Sequence, residues 1–330
     1  MTTPKVSSRR GMLAAGAALL AAPLGRALAA GDIGGGKPIT LVVSYPAGGG
    51  ADVMARLIAP RMAEALNQSV IVDNKPGASG TVAAAQVARA APDGSMLLLD
   101  ASSFAVNPSL FDKLPYDTAT SFAPLAVLAL YPNVLVCTAS FEAGSIADVL
   151  RLARAKPGML AYASSGNGSA QHLAGALFEA MAKVEMSHIP YRGGGPALND
   201  VMGGQVPLFF ANVASSLGHI QSGRLRALAV TSKLRSRVLP EVPAMEEAGL
   251  KGYEVLEWNP VIAPAGVPAP VRAKLSAAIR KAMSDPEVLA RVRALGGEAF
   301  GGGEAEASAF LKTQQTLWAR VVRERRITRE

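Results

Sequence analysis

The chain predicts an α/β protein made of two lobes around mainly parallel sheets, and three observations carry this. Apolar, β-branched runs alternate with Ala/Leu-rich helical stretches, the signature of βαβ units. The 330 residues, about 300 once a leader is set aside, exceed what one core usually serves. A strand, a glycine-rich loop and a helix follow one another twice, from Tyr45 and again from Tyr162. If each unit sits in its own lobe, two helix N-termini face each other across a cleft.

The N-terminus reads as a leader rather than as part of the fold. Lys5, Arg9 and Arg10 precede an Ala/Gly-dominated apolar run over 11–24 that is too short to span a bilayer. Ala27-Leu28-Ala29 offers small residues at both recognition positions of a signal peptidase, which predicts a signal peptide over 1–29. Ser8-Arg9-Arg10-Gly11-Met12-Leu13 reads as a twin-arginine signal, with an ordinary secretory signal as the alternative. No later segment is long and apolar enough for an anchor, so a soluble periplasmic protein is expected.

Setting the leader aside changes the charge argument. The whole chain has 33 Lys+Arg and 25 Asp+Glu, a net +8. Four bases (Lys5, Arg9, Arg10 and Arg26) lie in the leader, which has no acid, leaving 29 bases and a net +4. That remainder is too weak and scattered to argue for nucleic acid, though it mildly favours the approach of an anion. The basic C-terminal residues Arg320, Arg323, Arg325, Arg326 and Arg329 read as cations near a helix C-terminus. The single cysteine, Cys137, forms no internal disulfide and reads as a buried strand residue.

Along the mature chain, strands are expected at 39–45, 70–73 and 96–100, with helices at 52–66 and 81–90 between them. The apolar stretch 124–138, interrupted at Tyr131-Pro132, suits strands crossing between lobes. A helix at 146–155, a strand at 159–163, a helix at 169–182 and a strand at 187–191 follow. Then come a helix through Val201 and strands at 206–210 and 226–231. Residues 253–263 form a second candidate crossover, and the chain is largely helical from Val267.

Three loops carry the candidate chemistry. In the first, Ala47, Gly48, Gly49, Gly50 and Asp52 stand before a helix, where glycines let backbone N–H groups approach a ligand and the helix start favours negative charge. It is neither a dinucleotide fingerprint, lacking G-x-G-x-x-G, nor a P-loop, lacking G-K-[ST]. A mere tight turn remains open for it, and Asp52 reads as a residue that shapes the loop. In the second, Ser164, Ser165, Gly166, Gly168 and Ser169 supply hydroxyls and glycines at another helix start. It is not G-x-S-x-G, and nothing in the sequence brings His172, His188 or His219 to a serine. The third, Tyr191-Arg192-Gly193-Gly194-Gly195, could meet an anion, or Arg192 could tie the loop to Asp200. Three widely spaced histidines and one cysteine make no metal site, so neither metal nor cofactor is expected.

Taken jointly, these residues resemble one family. Tyr45-Pro46-Ala47-Gly48-Gly49 with Asp52, Asn74-Lys75-Pro76-Gly77-Ala78 and Pro92-Asp93-Gly94 are similar to the Bug family of solute-binding proteins, the extracytoplasmic receptors of tripartite tricarboxylate transporters. The likeness continues through Asn107-Pro108-Ser109-Leu110, Leu114-Pro115-Tyr116-Asp117, Tyr162 to Gly168, His188 to Gly193, Ala227 to Thr231, Leu239 to Pro243 and Ala263-Pro264-Ala265-Gly266. It implies a type II periplasmic-binding-protein fold, with two lobes joined by crossing strands and a ligand cleft between them. We expect residues 36–136 and 259–330 in one lobe and 137–258 in the other.

The resemblance also implies a ligand carboxylate held by the 47–52 loop, partly through water, with the 164–169 loop contributing from the other lobe. The expected ligand-binding set is Tyr45, Ala47, Gly48, Gly49, Gly50, Asp52, Ser102, Ser103, Ser164, Gly166, Gly168, Ser169 and Asp200. The implied partners are a small organic carboxylate and an integral-membrane permease. Presentation of the ligand to a membrane sensor kinase is the alternative, and an α/β enzyme a more distant one. Two departures leave ligand identity open: Phe210-Ala211-Asn212 where the family often has Phe-Asp-Asn, and Trp258-Asn259-Pro260 where a glycine is commoner.

Overall fold

The computed structural model describes residues 1–2, 33–325 and 327–328. The leader, its expected cleavage after Ala29 and its arginine pair lie outside the described residues.

The first half builds one parallel sheet by successive βαβ steps. β1 (Ile39–Val43), α1 (Gly50–Leu66), β2 (Val70–Asn74), α2 (Thr81–Ala88), β3 (Met96–Leu99) and α3 (Ser103–Leu110) follow in order, and β1 pairs in parallel with β2 and β3. β4 (Phe122–Thr138) then runs on for 17 residues into the second lobe. There α4 (Ile146–Ala155), β5 (Ala161–Ser164), α5 (Ala170–Ala182), β6 (Ser187–Pro190), α6 (Gly194–Met202), β7 (Leu208–Asn212), α7 (Val213–Gln221) and β8 (Leu225–Val230) complete a second unit. β9 (Leu256–Pro264) returns to the first lobe, followed by α8 (Ala269–Ser284), α9 (Pro286–Ala294), β10 (Glu298–Ala299) and α10 (Glu304–Arg325).

The two sheets repeat one plan. In the first, β2, β1 and β3 lie parallel and β9 pairs antiparallel with β3 and β4. In the second, β6, β5 and β7 lie parallel and β4 pairs antiparallel with β7 and β8. In each, the strand arriving from the other lobe is the antiparallel one. This is the type II periplasmic-binding-protein fold, two α/β lobes joined by crossing strands.

Strand alternation sends side chains to both faces of each sheet. Leu41, Val43, Leu97 and Leu99 pack with α1, α8 and α9, whereas Val42 and Leu98 face α2, α3 and α10. In the second lobe Tyr162, Leu208 and Phe210 pack on α4 and α5, whereas Ala163, Phe209 and Ala211 pack on α6 and α7. α10 belongs to both lobes: Ala307 and Leu311 sit in the first core and Trp318 and Val322 in the second. Cys137 is buried in β4, where burial pushes its thiol up to about 11.

Three sequence readings change. The interruption at Tyr131-Pro132 is not a break. β4 passes through it because it changes sheets there: Pro132 pairs with Leu256 in the first sheet and Asn133 with Asn212 in the second. The proline's missing N–H falls where the ladder changes hands, so it costs no bond. α1 begins at Gly50, two residues before the expected 52. α3 and α7 had no sequence counterpart; both are short helices of eight and nine residues without a clean apolar stripe.

Candidate functional site

Parallel strands aim their C-terminal ends at the gap between the lobes, and each hands over there to a helix start. α1, α6 and α7 begin at this gap with Gly50, Gly194 and Val213, and Gly49, Gly50, Ala51, Gly194, Gly195, Asn212 and Ser215 line one cavity. Tyr45, Pro46, Ala101, Ser165, Gln171 and Glu257 close its walls. The cavity itself is small, about 30 Å³, and adjoins a wider space of about 600 Å³ that shares Tyr45, Pro46 and Ser165. The first N–H groups of a helix lack intrahelical acceptors and carry the positive end of its dipole, so three such starts make the cavity receptive to an anion. Among the described residues no Lys or Arg lines it, and Glu257 is its one ionisable carboxylate.

Local sequence explains the first wall. Gly48 takes φ +82°, a conformation that favours glycine, and its N–H donates to Asp52 Oδ2 at 2.9 Å. Asp52 reaches back from the first turn of α1 in the manner of a capping box. It also accepts from Arg56 Nε at 3.0 Å and Asn74 Nδ2 at 3.0 Å. Those donors hold its carboxyl below the usual range despite its burial. Asn74 Nδ2 donates to the Tyr45 carbonyl as well, at 2.9 Å. The loop that presents Gly49 and Gly50 is thus locked from behind.

Behind the same wall lies a buried carboxylate cluster. Ser44 Oγ and the Ala101 N–H both donate to Asp100 Oδ1, the latter at 2.7 Å. Burial, with Glu257 nearby, pushes Asp100 up to about 7. Tyr45 donates its hydroxyl to Ser103 Oγ at 3.0 Å, and Asn259 Nδ2 donates to the Asp100 carbonyl at 3.1 Å. Glu257 accepts from the Ser102 N–H at 3.2 Å, from Ser102 Oγ at 3.3 Å and from Gln171 Nε2 at 3.0 Å. Gln171 Nε2 also donates to Asn133 Oδ1 at 2.8 Å, so this network ties α3 of one lobe to α5 of the other through both crossing strands.

The second wall is supported differently. Ser169 caps α5, accepting from the His172 N–H at 3.2 Å. His172 Nδ1 accepts from the Gly168 N–H at 3.0 Å. His172 stacks on His188 with ring centroids 4.1 Å apart, and His188 Nε2 lies 2.6 Å from Ser164 Oγ. The sequence offered no reason for a histidine to meet this serine; the fold supplies one by pairing β5 with β6, Tyr162 opposite His188. Burial lowers His172 to about 4, and burial together with His172 lowers His188 to about 3, so both rings are neutral near neutrality.

The lobes meet along the cleft. Ser79 Oγ donates to the Asn167 carbonyl. A Cβ on Gly193, whose φ is +113°, would sit 2.7 Å from Pro46 Cδ, and one on Gly50 would approach Asn212 Nδ2 to 3.2 Å. Asn212 caps α7 through Oδ1, which accepts from the Ala214 N–H at 2.8 Å, while its buried Nδ2 has no protein partner.

Of the expected residues, Tyr45, Gly49 and Gly50 line the cavity, and Gly166 lies at its wider mouth with Asn167, Arg192 and Gly193. Ala47 is exposed beside it. Gly48 is exposed as well, whereas Asp52, Ser102, Ser103, Ser164, Gly168 and Ser169 are buried behind the walls, spending their polar atoms on neighbours. Asp200 is elsewhere: its Oδ2 accepts from the Tyr191 hydroxyl at 2.7 Å, a tie that one of the two sequence readings gave to Arg192. Gln171, Asn212, Ser215 and Glu257 were missed. Asn212 ends an apolar strand and Glu257 lies at the start of one, so both look like core in sequence, although a polar residue at the C-terminal end of a strand is the signal that could have found Asn212. Of the two departures noted, Ala211 is in the core of the second lobe, and Asn259 braces the Asp100 backbone.

The chain is similar to known proteins over most of its length. Residues 54–327 match the family model described as the tripartite tricarboxylate transporter family receptor. The chain is 39% identical over 292 residues, 88% of this chain and 87% of the relative, to a UPF0065 protein in the tcbD-tcbE intergenic region of Pseudomonas sp. (strain P51). Among solved structures, periplasmic binding protein BugD superposes with a TM-score of 0.85 at 34% identity, covering 88% of this chain and 98% of that one. R. palustris Rpa4515 with adipate gives 0.85 at 34% identity over 88% and 98%. MatC from Rhodopseudomonas palustris with bound malate gives 0.83 at 31% identity over 87% and 99%.

Proposed function

The chain belongs to the tripartite tricarboxylate transporter receptor family, a family of solute-binding receptors rather than enzymes, and from that premise we propose that it captures a small carboxylate-bearing solute between its lobes and delivers it to a membrane permease. The observation that carries this reading is the convergence of the α1, α6 and α7 N-termini, with the unpartnered Asn212 Nδ2, on one cavity without a cation. Related proteins with adipate and malate support the ligand class.

The energetics suffice without a guanidinium clamp. A micromolar complex corresponds to about −8 kcal/mol. A charge at a helix start contributes about 0.3–1 kcal/mol, up to about 2 when partly buried, and each hydrogen bond to a charged group about 1.5–3 kcal/mol. Three helix starts and one side-chain amide reach the needed range after ordering costs. Water bridges to the Gly49–Ala51 backbone serve nearly as well as direct bonds.

The solute acts by its differential affinity for the state in which the lobes touch. It meets Gly49, Gly50 and Tyr45 on one lobe and gains Ser165, Gly194, Asn212 and Ser215 from the other on closure. The hinge lies where β4 and β9 cross. We assign 36–132 and 256–330 to the first lobe and 133–255 to the second, with the C-terminal end of α10 packed on the second core. Export by a leader cleaved after Ala29 places this receptor in the periplasm; among the described residues no helix is long and apolar enough to cross a membrane.

The test is a thermal-shift screen of the mature protein against small mono-, di- and tricarboxylic acids. At least one acid is expected to raise the midpoint saturably; no stabilisation by any of them would overturn the reading.

A further inference from the structure

The cavity that receives an anion also holds a buried carboxylate. Glu257 lines it from the crossing strand β9 and is 6% exposed. Every partner it has in the protein donates to it: the Ser102 N–H and hydroxyl to Oε1, and Gln171 Nε2 to Oε2. A carboxylate offers about four acceptor positions, so one stays open, on Oε2. The titratable groups that face Glu257 are Tyr131 opposite it on β4 and, beyond the ends of β1 and β3, Tyr45 and Asp100. The starts of α3 and α5 bring only Ser102 and Gln171, and the Asp52–Arg56 pair of α1 does not line the cavity. None of the facing groups is a cation. Asp100 is fully buried, and its Oδ2 has no hydrogen-bond partner among the described residues.

We propose that Glu257 binds a proton together with the solute and, as a carboxylic acid, donates its Oε2–H to the solute's carboxylate, so that the receptor takes up anion and proton as a pair. This rests on the carboxylate reading of the cavity. Two carboxylates that share so small a site, with no cation between them, do not both stay ionised. The open position on Oε2 is where the proton goes, and Oε1 keeps both Ser102 donors. The proton comes from solvent, and no other bond changes. Glu257 then turns from a repelling group into one more donor, facing those of the α1, α6 and α7 starts and Asn212 Nδ2. Burial already pushes Glu257 upward, and Asp100 beside it stands at about 7. An arriving anion acts in the same direction. Where the empty protein holds Glu257 ionised, the complex gains a proton, and affinity falls as pH rises through that window.

The experiment is calorimetric titration of the mature protein with succinate, adipate, malate, benzoate and any other acid that stabilises it in the thermal-shift screen. Titrations run in Hepes and in Tris at matched pH between about 7 and 9, where these acids are fully ionised. The two buffers release protons with different enthalpies, so the difference in heat counts the protons taken up. At its maximum the uptake is expected to reach about half a proton or more per solute, with affinity falling about three-fold or more per pH unit there. Glu257→Gln is neutral and keeps a donor in place, which Gln171 and Asn133 accommodate by turning their amides, since Asn133 Nδ2 has no partner. It should abolish the uptake, flatten the pH profile and bind several-fold tighter than wild type at the alkaline end. Asp100→Asn should retain the uptake. Binding without proton uptake in the wild-type protein overturns the proposal without any variant and leaves the carboxylate reading intact. So does uptake that survives in Glu257→Gln or is lost in Asp100→Asn, which would place the proton on Asp100. If the thermal midpoint shows Glu257→Gln to be unfolded, the wild-type and Asp100→Asn titrations decide alone. If no acid binds, the carboxylate reading itself has failed and the proposal falls with it.

Discussion

The two lobes present the same backbone device to the cleft and hold it up with opposite chemistry. In the first, the glycine loop before α1 is locked by acids: Asp52 gathers Gly48, Arg56 and Asn74, and Asp100 gathers Ser44 and Ala101. In the second, the loop before α5 is locked by a serine cap and two stacked, neutral histidines. A helix start facing an anion needs a rigid loop behind it, and what fixes that loop can be charged or neutral. The difference shows in how each lobe responds to mutation and to protons.

The largest effect is expected where the lobes touch. Gly193→Val adds a side chain in a left-handed conformation against Pro46, so closure is blocked while the separate cores stay packed. Affinity for the best carboxylate should fall roughly 100-fold or more, as expected when the competent state becomes scarce; calorimetry checks it. Binding within a few-fold of wild type would show that closure does not depend on this contact.

The locks come next. Asp52→Ala removes the acceptor of the Gly48 N–H and leaves Asn74 Nδ2 only the Tyr45 carbonyl, and should cost about 2–3 kcal/mol in chemical denaturation. Ser169→Ala removes a single cap and should cost about 1 kcal/mol. Equal losses would mean that the acidic lock is no stronger than the capped one.

The smallest but most diagnostic contrast is in pH. His172 and His188 are lowered to about 4 and about 3 from 6.5. Between pH 6.5 and 4 the unfolded chain therefore binds protons that the folded chain refuses, and acidification destabilises through these groups. Asp100 is raised from 3.8 to about 7. Over that window the folded chain holds a proton that the unfolded chain has released, so stability falls as pH rises through it. His188→Gln should flatten the fall in melting midpoint between pH 6.5 and 4, and Asp100→Asn should steepen it. Slopes that move the same way in both variants would erase the distinction between the lobes.

How much of this was legible in the sequence follows from what each residue needs. The glycines before α1 and the Ser/Gly run before α5 were readable because helix starts and left-handed turns demand those residue types locally. The crossing at 124–138 was visible as excess apolar length, although its proline misled until the change of sheets explained it. The cleft residues Gln171, Asn212 and Glu257 were not readable. Their neighbours are core, and only the assembly of strand ends decides which polar residue opens into a cavity. The histidine stack was hidden for the same reason, since 15 residues lie between His172 and His188 and the β5–β6 pairing closes the gap. Asp200 was misplaced because spacing alone cannot tell a loop brace from a ligand contact.

The most direct test of the account is a crystal structure of the mature protein with the best-binding carboxylic acid. The account predicts the carboxylate against the backbone at Gly49–Ala51 and Gly194–Gly195 with Asn212 Nδ2 donating to it, directly or through one water, and no cationic side chain in contact. A carboxylate paired instead with Arg192 at the mouth, or bound outside the cleft between the lobes, would contradict it.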